Sequence, residues 1–124
     1  MSKPEKLNSI LMKLQSSTSD FEASAIISED GLMIANVLPE GLEETQIAAM
    51  SAAMMTMGTK TAMELKRGNL EQLFIKGEKG YVVIMQAGPY SVLLALTSED
   101  AKLGLVFLGM SRAVEEIAEV LGSF

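Results

Sequence analysis

The acidic side chains are the first candidates for chemistry in this chain, because paired carboxylates can share acid–base work or hold a hard cation. Two adjacent Glu–Asp pairs occur, Glu29–Asp30 and Glu99–Asp100. The first pair lies in a predicted turn and the second at a predicted helix start, and both places favour acidic residues for structural reasons. Glu115, Glu116 and Glu119 lie on a predicted helix, where no loop completes a cage of oxygen ligands. We therefore predict solvated carboxylates and no metal site.

A second candidate is Gly58-Thr59-Lys60-Thr61, which superficially resembles part of a phosphate-binding loop. The first glycine of that motif is missing, the order is wrong and no strand precedes it. The two arginines, Arg67 and Arg112, are interpreted as surface residues. Histidine and cysteine are absent, which excludes a Ser-His-Asp triad, a thiolate nucleophile and the usual transition-metal sites. No catalytic set assembles, so we predict a protein that is not an enzyme and has no cofactor.

The composition is that of one globular domain. The 124 residues are 48% hydrophobic and 21% charged, and a chain of this length can bury a real core. Sixteen acidic against ten basic residues give a net charge of −6, so nucleic acid would be repelled. No apolar run approaches the roughly 20 residues that span a bilayer, and the charged start of the chain has no apolar signal core. We predict a single domain over residues 1–124, no membrane span and a cytoplasmic location.

The elements that must position these residues are read from periodicity and turn signals. Ser2 and Glu5 are spaced as a capping box ahead of an amphipathic helix, and Asp30-Gly31 is a hairpin signal. The last helix is predicted to begin near Ser98. The element order is αββαβββα, with the middle helix over Glu44 to Lys66 and strands over Phe21 to Ser28, Leu32 to Leu38, Leu70 to Lys76, Tyr81 to Ala87 and Ser91 to Thr97.

The middle helix is the most informative element, because it carries no charge between Glu44 and Lys60. A helix with one solvated side needs a polar face, whereas this one offers Ala, Met, Ser, Thr and Gly nearly all round. Small residues allow close approach, and methionines adapt to a partner. We interpret it as an interaction helix. The alternative is an ordinary core helix in a Met-rich protein.

The width of the predicted sheet supports the first interpretation. Five strands at about 4.8 Å spacing make a sheet roughly 24 Å wide, and a helix is only about 10 to 12 Å across. If the two terminal helices cover one face, the middle helix alone covers about half of the other. An exposed apolar area of this kind usually marks an interface, and a second copy of the chain is the simplest cover. We therefore predict a homodimer.

Several stretches resemble roadblock-type domains. Residues 68–84, with the sequence GNLEQLFIKGEKGYVVI, are similar to the third and fourth strands of these domains, and the hairpin over residues 26–32 is similar to their first turn. Residues 93–97, 101–106 and 112–118 continue the likeness. The resemblance covers nearly the whole chain, although its motifs are apolar patterns and glycines without a catalytic signature. It indicates the roadblock family, which includes the dynein light chain roadblock type and the MglB-like regulators of small GTPases.

The resemblance implies both a fold and a function. The implied fold is an α/β (α+β) sandwich of the profilin-like type, with a five-stranded antiparallel sheet between helices. Such domains dimerise by edge pairing of the third strand and packing of the second helices. The implied function is binding and regulation of a small Ras-like GTPase, as a GTPase activator or a scaffold; MglB-like members position the GTPase's own groups. The alternative is a small-molecule-sensing domain of the profilin-like or PAS-like type.

Helical periodicity divides the middle helix into two stripes. Ile47, Ser51, Met54, Gly58, Thr61 and Leu65 form the more apolar stripe, which is expected to face the sheet. The other stripe begins at Gln46 and is expected to face outward. The predicted dimer and partner interface combines this outward stripe with the third strand: Met50, Ala53, Met57, Lys60, Glu64, Leu70, Gln72, Phe74 and Lys76.

Overall fold

The computed structural model describes residues 1–122, so the predicted domain over residues 1–124 extends two residues beyond the described part. The predicted order αββαβββα is confirmed. The elements are α1 (Lys3–Ser16), β1 (Phe21–Ser28), β2 (Met33–Val37), α2 (Glu44–Glu64), β3 (Leu73–Gly77), β4 (Gly80–Gln86), β5 (Ser91–Thr97) and α3 (Leu103–Leu121).

The predicted capping box starts α1. The Ser2 hydroxyl accepts a hydrogen bond from the Glu5 backbone N–H at 3.3 Å, and Glu5 Oε1 accepts one from the Ser2 backbone N–H at 3.5 Å. These bonds satisfy donors that the first turn leaves free. Four apolar side chains at helical spacing then fix α1 to the core, and they are Leu7, Ile10, Leu11 and Leu14.

The five strands form one antiparallel sheet in the order β2-β1-β5-β4-β3. β1 pairs with β5 in the interior of the sheet, and β2 and β3 are the two edges. The edges differ in regularity. β3 pairs with β4 without interruption from Leu73 to Gly77, whereas the β1–β2 register shifts between Ile26 and Ile27 and leaves Ile34 as an extra residue in β2.

The helices divide into two layers, as the sheet-width argument requires. One hydrophobic cluster joins α1 and α3 to one face of the sheet, with Leu11, Met110 and Ile117 fully buried. An exposed ion pair, Lys13 Nζ to Glu116 Oε1 at 2.6 Å, also joins these two helices. The second cluster lies under α2 alone, where Ile47 and Ala48 meet Ile27 and Leu94 among others.

Three predicted boundaries differ from the structure by two residues or more, and the other differences are of one residue. The middle helix was expected to continue to Lys66 but ends at Glu64, because Lys66 has a φ of +59° and the Arg67 N–H bonds the Ala62 carbonyl at 2.8 Å. The third strand begins at Leu73 rather than Leu70. The last helix begins at Leu103 rather than near Ser98, because the preceding residues form a turn. In that turn the Lys102 N–H bonds the Asp20 carboxylate at 3.3 Å.

Candidate functional site

The part of the sheet that α2 leaves uncovered is the candidate site. α2 lies over β1, β2 and β5, and the face next to the β3 edge is open. Ile75 of β3 is 47% exposed, and Val82 of β4 and Leu96 of β5 are half-buried. We call the area formed by these three residues and the facing side of α2, Met50 to Met57, the α2–β3 surface.

This surface contains two adjoining pockets, and Met54 and Ile75 line both of them. The first, of about 490 Å³, is lined by Leu42, Ile47, Met50, Ser51, Ala53, Met54, Ile75, Val82, Leu94 and Leu96. The second, of about 430 Å³, is lined by Met54, Met57, Gly58, Thr61, Ala62, Leu65, Arg67, Leu70, Leu73 and Ile75. The first pocket is almost entirely apolar, so it suits an apolar side chain better than a polar ligand.

The polar groups around the surface are already satisfied. Ser51 is the one polar residue lining the first pocket, and its hydroxyl donates to the Ile47 carbonyl at 2.7 Å. Throughout residues 1–122, no buried side-chain nitrogen or oxygen lacks a hydrogen-bond partner. The same residues contain no group of three acidic side chains arranged to hold a metal ion. The arrangement can therefore bind a complementary apolar surface.

The predicted helix residues are all exposed, but they border different features. Met50 and Ala53 line the first pocket and Met57 lines the second. Lys60 lies on the other flank of α2, in a groove of about 440 Å³ that also contains Glu29 of the first hairpin turn. Glu64 lines neither the two pockets nor this groove. The structure thus brings three of the five helix residues together at the α2–β3 surface.

The predicted strand residues divide in a similar way. Leu70 is half-buried in the second pocket, and the Cδ2 of Leu70 would lie 3.1 Å from a Cβ added at Gly58. This packing under α2 explains why the strand does not begin there. Gln72 is exposed ahead of β3. Phe74 points to the opposite layer, with its ring centroid 5.9 Å from that of Phe107. The nine predicted residues therefore do not share one face.

The alternation of side chains along β3 explains the position of Lys76 and identifies Ile75, which the prediction missed. Lys76 Nζ lies 6.0 Å from the ring centroid of Tyr81, on the same side of β3 as Phe74. Successive side chains of a strand point to opposite faces, so Ile75 is the β3 residue on the α2 side. That alternation is visible in the sequence and could have identified Ile75. Val82 and Leu96 could not be found this way, because their exposure depends on where α2 lies.

The prediction that the more apolar stripe of α2 faces the sheet is only partly correct. Ile47 and Ser51 are buried and Met54 and Gly58 are half-buried, whereas Thr61 and Leu65 are exposed. The buried positions of α2 are Ile47, Ala48, Ser51 and Met55. Contact with the sheet is therefore closest in the first three turns, and the last turns project beyond it. The predicted outward stripe, from Gln46 to Glu64, is exposed at all six positions.

Comparisons with known proteins agree with this geometry. A sequence model of the Roadblock/LC7 domain family matches residues 7–97. The uncharacterized protein MJ1340 of Methanocaldococcus jannaschii is 34% identical over 111 residues, which cover 90% of this chain and 96% of that protein. The solved structure of the gliding protein MglB from Thermus thermophilus superposes with a TM-score of 0.89 at 20% identity, over 100% of this chain and 94% of that one.

A further solved structure extends the likeness. A Roadblock/LC7 domain from Streptomyces avermitilis superposes with a TM-score of 0.63 at 27% identity, over 89% of this chain and 96% of that domain. These chains share the sandwich of a five-stranded antiparallel sheet between helices that the sequence predicted. None of the helices within residues 1–122 is long and apolar enough to cross a membrane.

Proposed function

Because this chain belongs to the Roadblock/LC7 domain family, we propose that it forms a homodimer through the α2–β3 surface and that the dimer binds and regulates a small Ras-like GTPase. The observation that carries the first step is an open apolar sheet face beside an unpaired, regular strand edge. The second step follows what the roadblock resemblance implies. The two steps have separate tests.

The β3 edge suits pairing with a second copy better than the β2 edge does. A bulge in an edge strand disrupts the ladder and is one of the devices by which proteins prevent edge pairing. β2 carries such a bulge at Ile34, whereas β3 is regular over its whole length. Pairing at β3 would also bring the two open faces together, so it would cover the apolar pockets that pairing at β2 would leave exposed.

The side chains of β3 are compatible with pairing between β3 and the same strand of a second subunit. In an antiparallel pair with its two-fold axis at Ile75, Phe74 of one strand faces Lys76 of the other. The only charged residue of β3 then faces an aromatic ring rather than a like charge. On α2, the small Ala53 between Met50 and Met57 leaves room for a methionine of the second helix. Both elements can therefore contribute to one symmetric interface.

Light scattering after size exclusion at low micromolar concentration tests the dimer. We expect twice the 13.3 kDa of one chain. Ile75→Lys should shift the protein to a monomer, because it places like charges together at the seam. Leu32→Lys is the matched control, since Leu32 is 66% exposed but precedes the bulged β2 edge. A wild-type protein of 13.3 kDa, or equal behaviour of both variants, would contradict the proposed interface.

The GTPase step is supported by what the surface lacks as well as by what it offers. The sequence contains no histidine and no cysteine, so we propose that an effect on hydrolysis comes from contact with the GTPase rather than from a supplied nucleophile or base. The switch loops of small GTPases change their order with the bound nucleotide, and a partner that touches them distinguishes the two states. We propose that the dimer contacts the switch loops and so distinguishes the GTP-bound from the GDP-bound GTPase.

The GTPase step is tested by capture experiments. The immobilised dimer is incubated with purified small GTPases from the organism that makes this protein, each loaded with GTP or with GDP. We expect one nucleotide form of one GTPase to bind preferentially to the dimer. Single-turnover GTP hydrolysis with and without the dimer then separates an activator from a scaffold. Equal retention of both nucleotide forms, or no retention of any GTPase, would contradict the proposal. The alternative of a small-molecule sensor has less support, because the pocket between α2 and the sheet is apolar and has no unsatisfied polar group.

A further inference from the structure

The α2–β3 surface is rich in thioethers. Met50 is 50% exposed and Met57 is 64% exposed, and the half-buried Met54 lies between them and lines both pockets. The chain has no cysteine, so its methionines are its most readily oxidised side chains. Exposure favours their reaction with a small oxidant in solution. This surface therefore places oxidisable groups where the proposed second copy would make contact.

The surroundings of Met50 would not accommodate an oxygen atom. Oxidation converts the apolar thioether into a polar sulfoxide, which needs a hydrogen-bond donor when it is buried. The pocket beside Met50 has one polar lining residue, Ser51, and the hydroxyl hydrogen of Ser51 is already donated to the Ile47 carbonyl. A second α2–β3 surface placed over this pocket would exclude water. The sulfoxide would then lose its hydrogen bonds to solvent without replacement.

We propose that Met50 and Met57 are oxidation sites and that the sulfoxide of Met50 prevents assembly of the homodimer; this inference rests on the proposed dimer. The oxidant is a peroxide. The sulfur attacks one peroxide oxygen, the O–O bond breaks and an S–O bond forms. The sulfur is oxidised by two electrons and the peroxide is reduced. When the oxidant is hydrogen peroxide, the second oxygen takes the proton of the transferred hydroxyl group and leaves as water. The reaction takes place on the dissociated subunit, where both side chains are exposed, and the modified subunit does not reassociate.

The experiment uses the full chain and hydrogen peroxide. Peptide mass mapping identifies the oxidised methionines, and analytical ultracentrifugation measures the dimer dissociation constant before and after treatment. We expect the constant to rise by about tenfold or more, because burial of an unpaired polar group opposes association. The variant Met50→Leu/Met57→Leu keeps apolar side chains of similar volume, so it should dimerise and resist peroxide. Met12→Leu is the control, because Met12 is 59% exposed on α1, in the opposite layer.

Each outcome decides the inference. Loss of the dimer in the wild type and in Met12→Leu, with a peroxide-resistant double variant, supports it. An unchanged dissociation constant after full oxidation of Met50 and Met57 overturns it and leaves the proposed dimer intact. Equal sensitivity of the double variant also overturns it, because another methionine would then be responsible. A chain that is monomeric before any treatment contradicts the dimer and this inference together.

Discussion

At the scale of single residues, Lys66 has a strained backbone conformation. It is the one non-glycine residue among residues 1–122 with a positive φ, +59°. Its N–H bonds the Met63 carbonyl at 3.1 Å, and the Arg67 N–H bonds the Ala62 carbonyl. This is the Schellman arrangement, in which glycine is the usual residue at the left-handed position. The loop that leads from α2 to β3 therefore begins with a side chain in a conformation that L residues avoid.

We predict that Lys66→Gly raises the free energy of unfolding by about 0.5–1 kcal/mol, because glycine adopts a positive φ without a steric cost. Urea unfolding followed by circular dichroism measures the change. Lys66→Ala is the matched control, since it removes the same charge but keeps the Cβ atom. If alanine stabilises the protein as much as glycine does, the gain comes from the lost charge and not from the backbone.

A second prediction concerns Gly80, at the β3–β4 turn. Its φ is +148°, and an added Cβ would lie 1.9 Å from the Thr97 carbonyl oxygen. Gly80→Ala should therefore destabilise the fold by at least about 3 kcal/mol, since both backbone strain and a clash with a central strand must be relieved. Gly41→Ala separates the two effects, because Gly41 has a φ of +94° and nothing within 4 Å. Thermal unfolding of both variants should show a much smaller loss for Gly41→Ala.

At the scale of elements, the sequence was most informative where one signal acts locally. The capping box at Ser2, the first hairpin and the bounds of β1 and β5 were all predicted correctly. The wrong boundaries fall where a distant contact decides the outcome. Leu70 looks like a strand residue, but it packs beneath Gly58. Thr61 and Leu65 follow the helical stripe, but they are exposed at the second pocket rather than buried against the sheet.

The interaction helix gives the third prediction. Met57→Glu should leave the fold of the chain nearly unchanged, within about 0.5 kcal/mol, because the side chain is exposed in the single subunit. It should weaken GTPase capture and dimer formation strongly, since it would place a charge in an apolar contact. Capture is measured beside urea unfolding. Met12→Glu on α1 is the control for an added charge at a comparably exposed methionine.

Two results of that experiment would count against the assignment of α2. Unfolding of Met57→Glu would show that Met57 belongs to the core of the chain. A folded, dimeric variant that retains GTPase binding would show that the docking site lies elsewhere. The predicted interface residue Lys60 lies away from both the α2–β3 surface and the proposed β3 seam, and it would then be the next position to change.

At the scale of the whole molecule, the prediction of a protein without enzymatic activity can be tested directly. The fragment at Gly58 that resembles a phosphate loop lies within α2, so it is preceded directly by helix and not by a strand. We therefore predict that the purified protein hydrolyses no GTP on its own. Phosphate release measured over a range of protein concentrations checks this. Turnover that scales with concentration and disappears in Lys60→Ala would contradict the prediction.

The pairing of β1 with β5 in the interior of the sheet has a consequence for how the chain is made. About half of the sequence separates the end of β1 from the start of β5, so β2 is the only strand with which β1 can pair until β5 has left the ribosome. Contacts between such distant segments form late, because closing a long loop costs entropy before it gives any contact. A nascent chain that stops before Ser91 therefore leaves one edge of the strand Phe21–Ser28 without its pairing partner. We therefore expect the interior of the sheet to form only after β5 has emerged, whatever the state of the early helix α1.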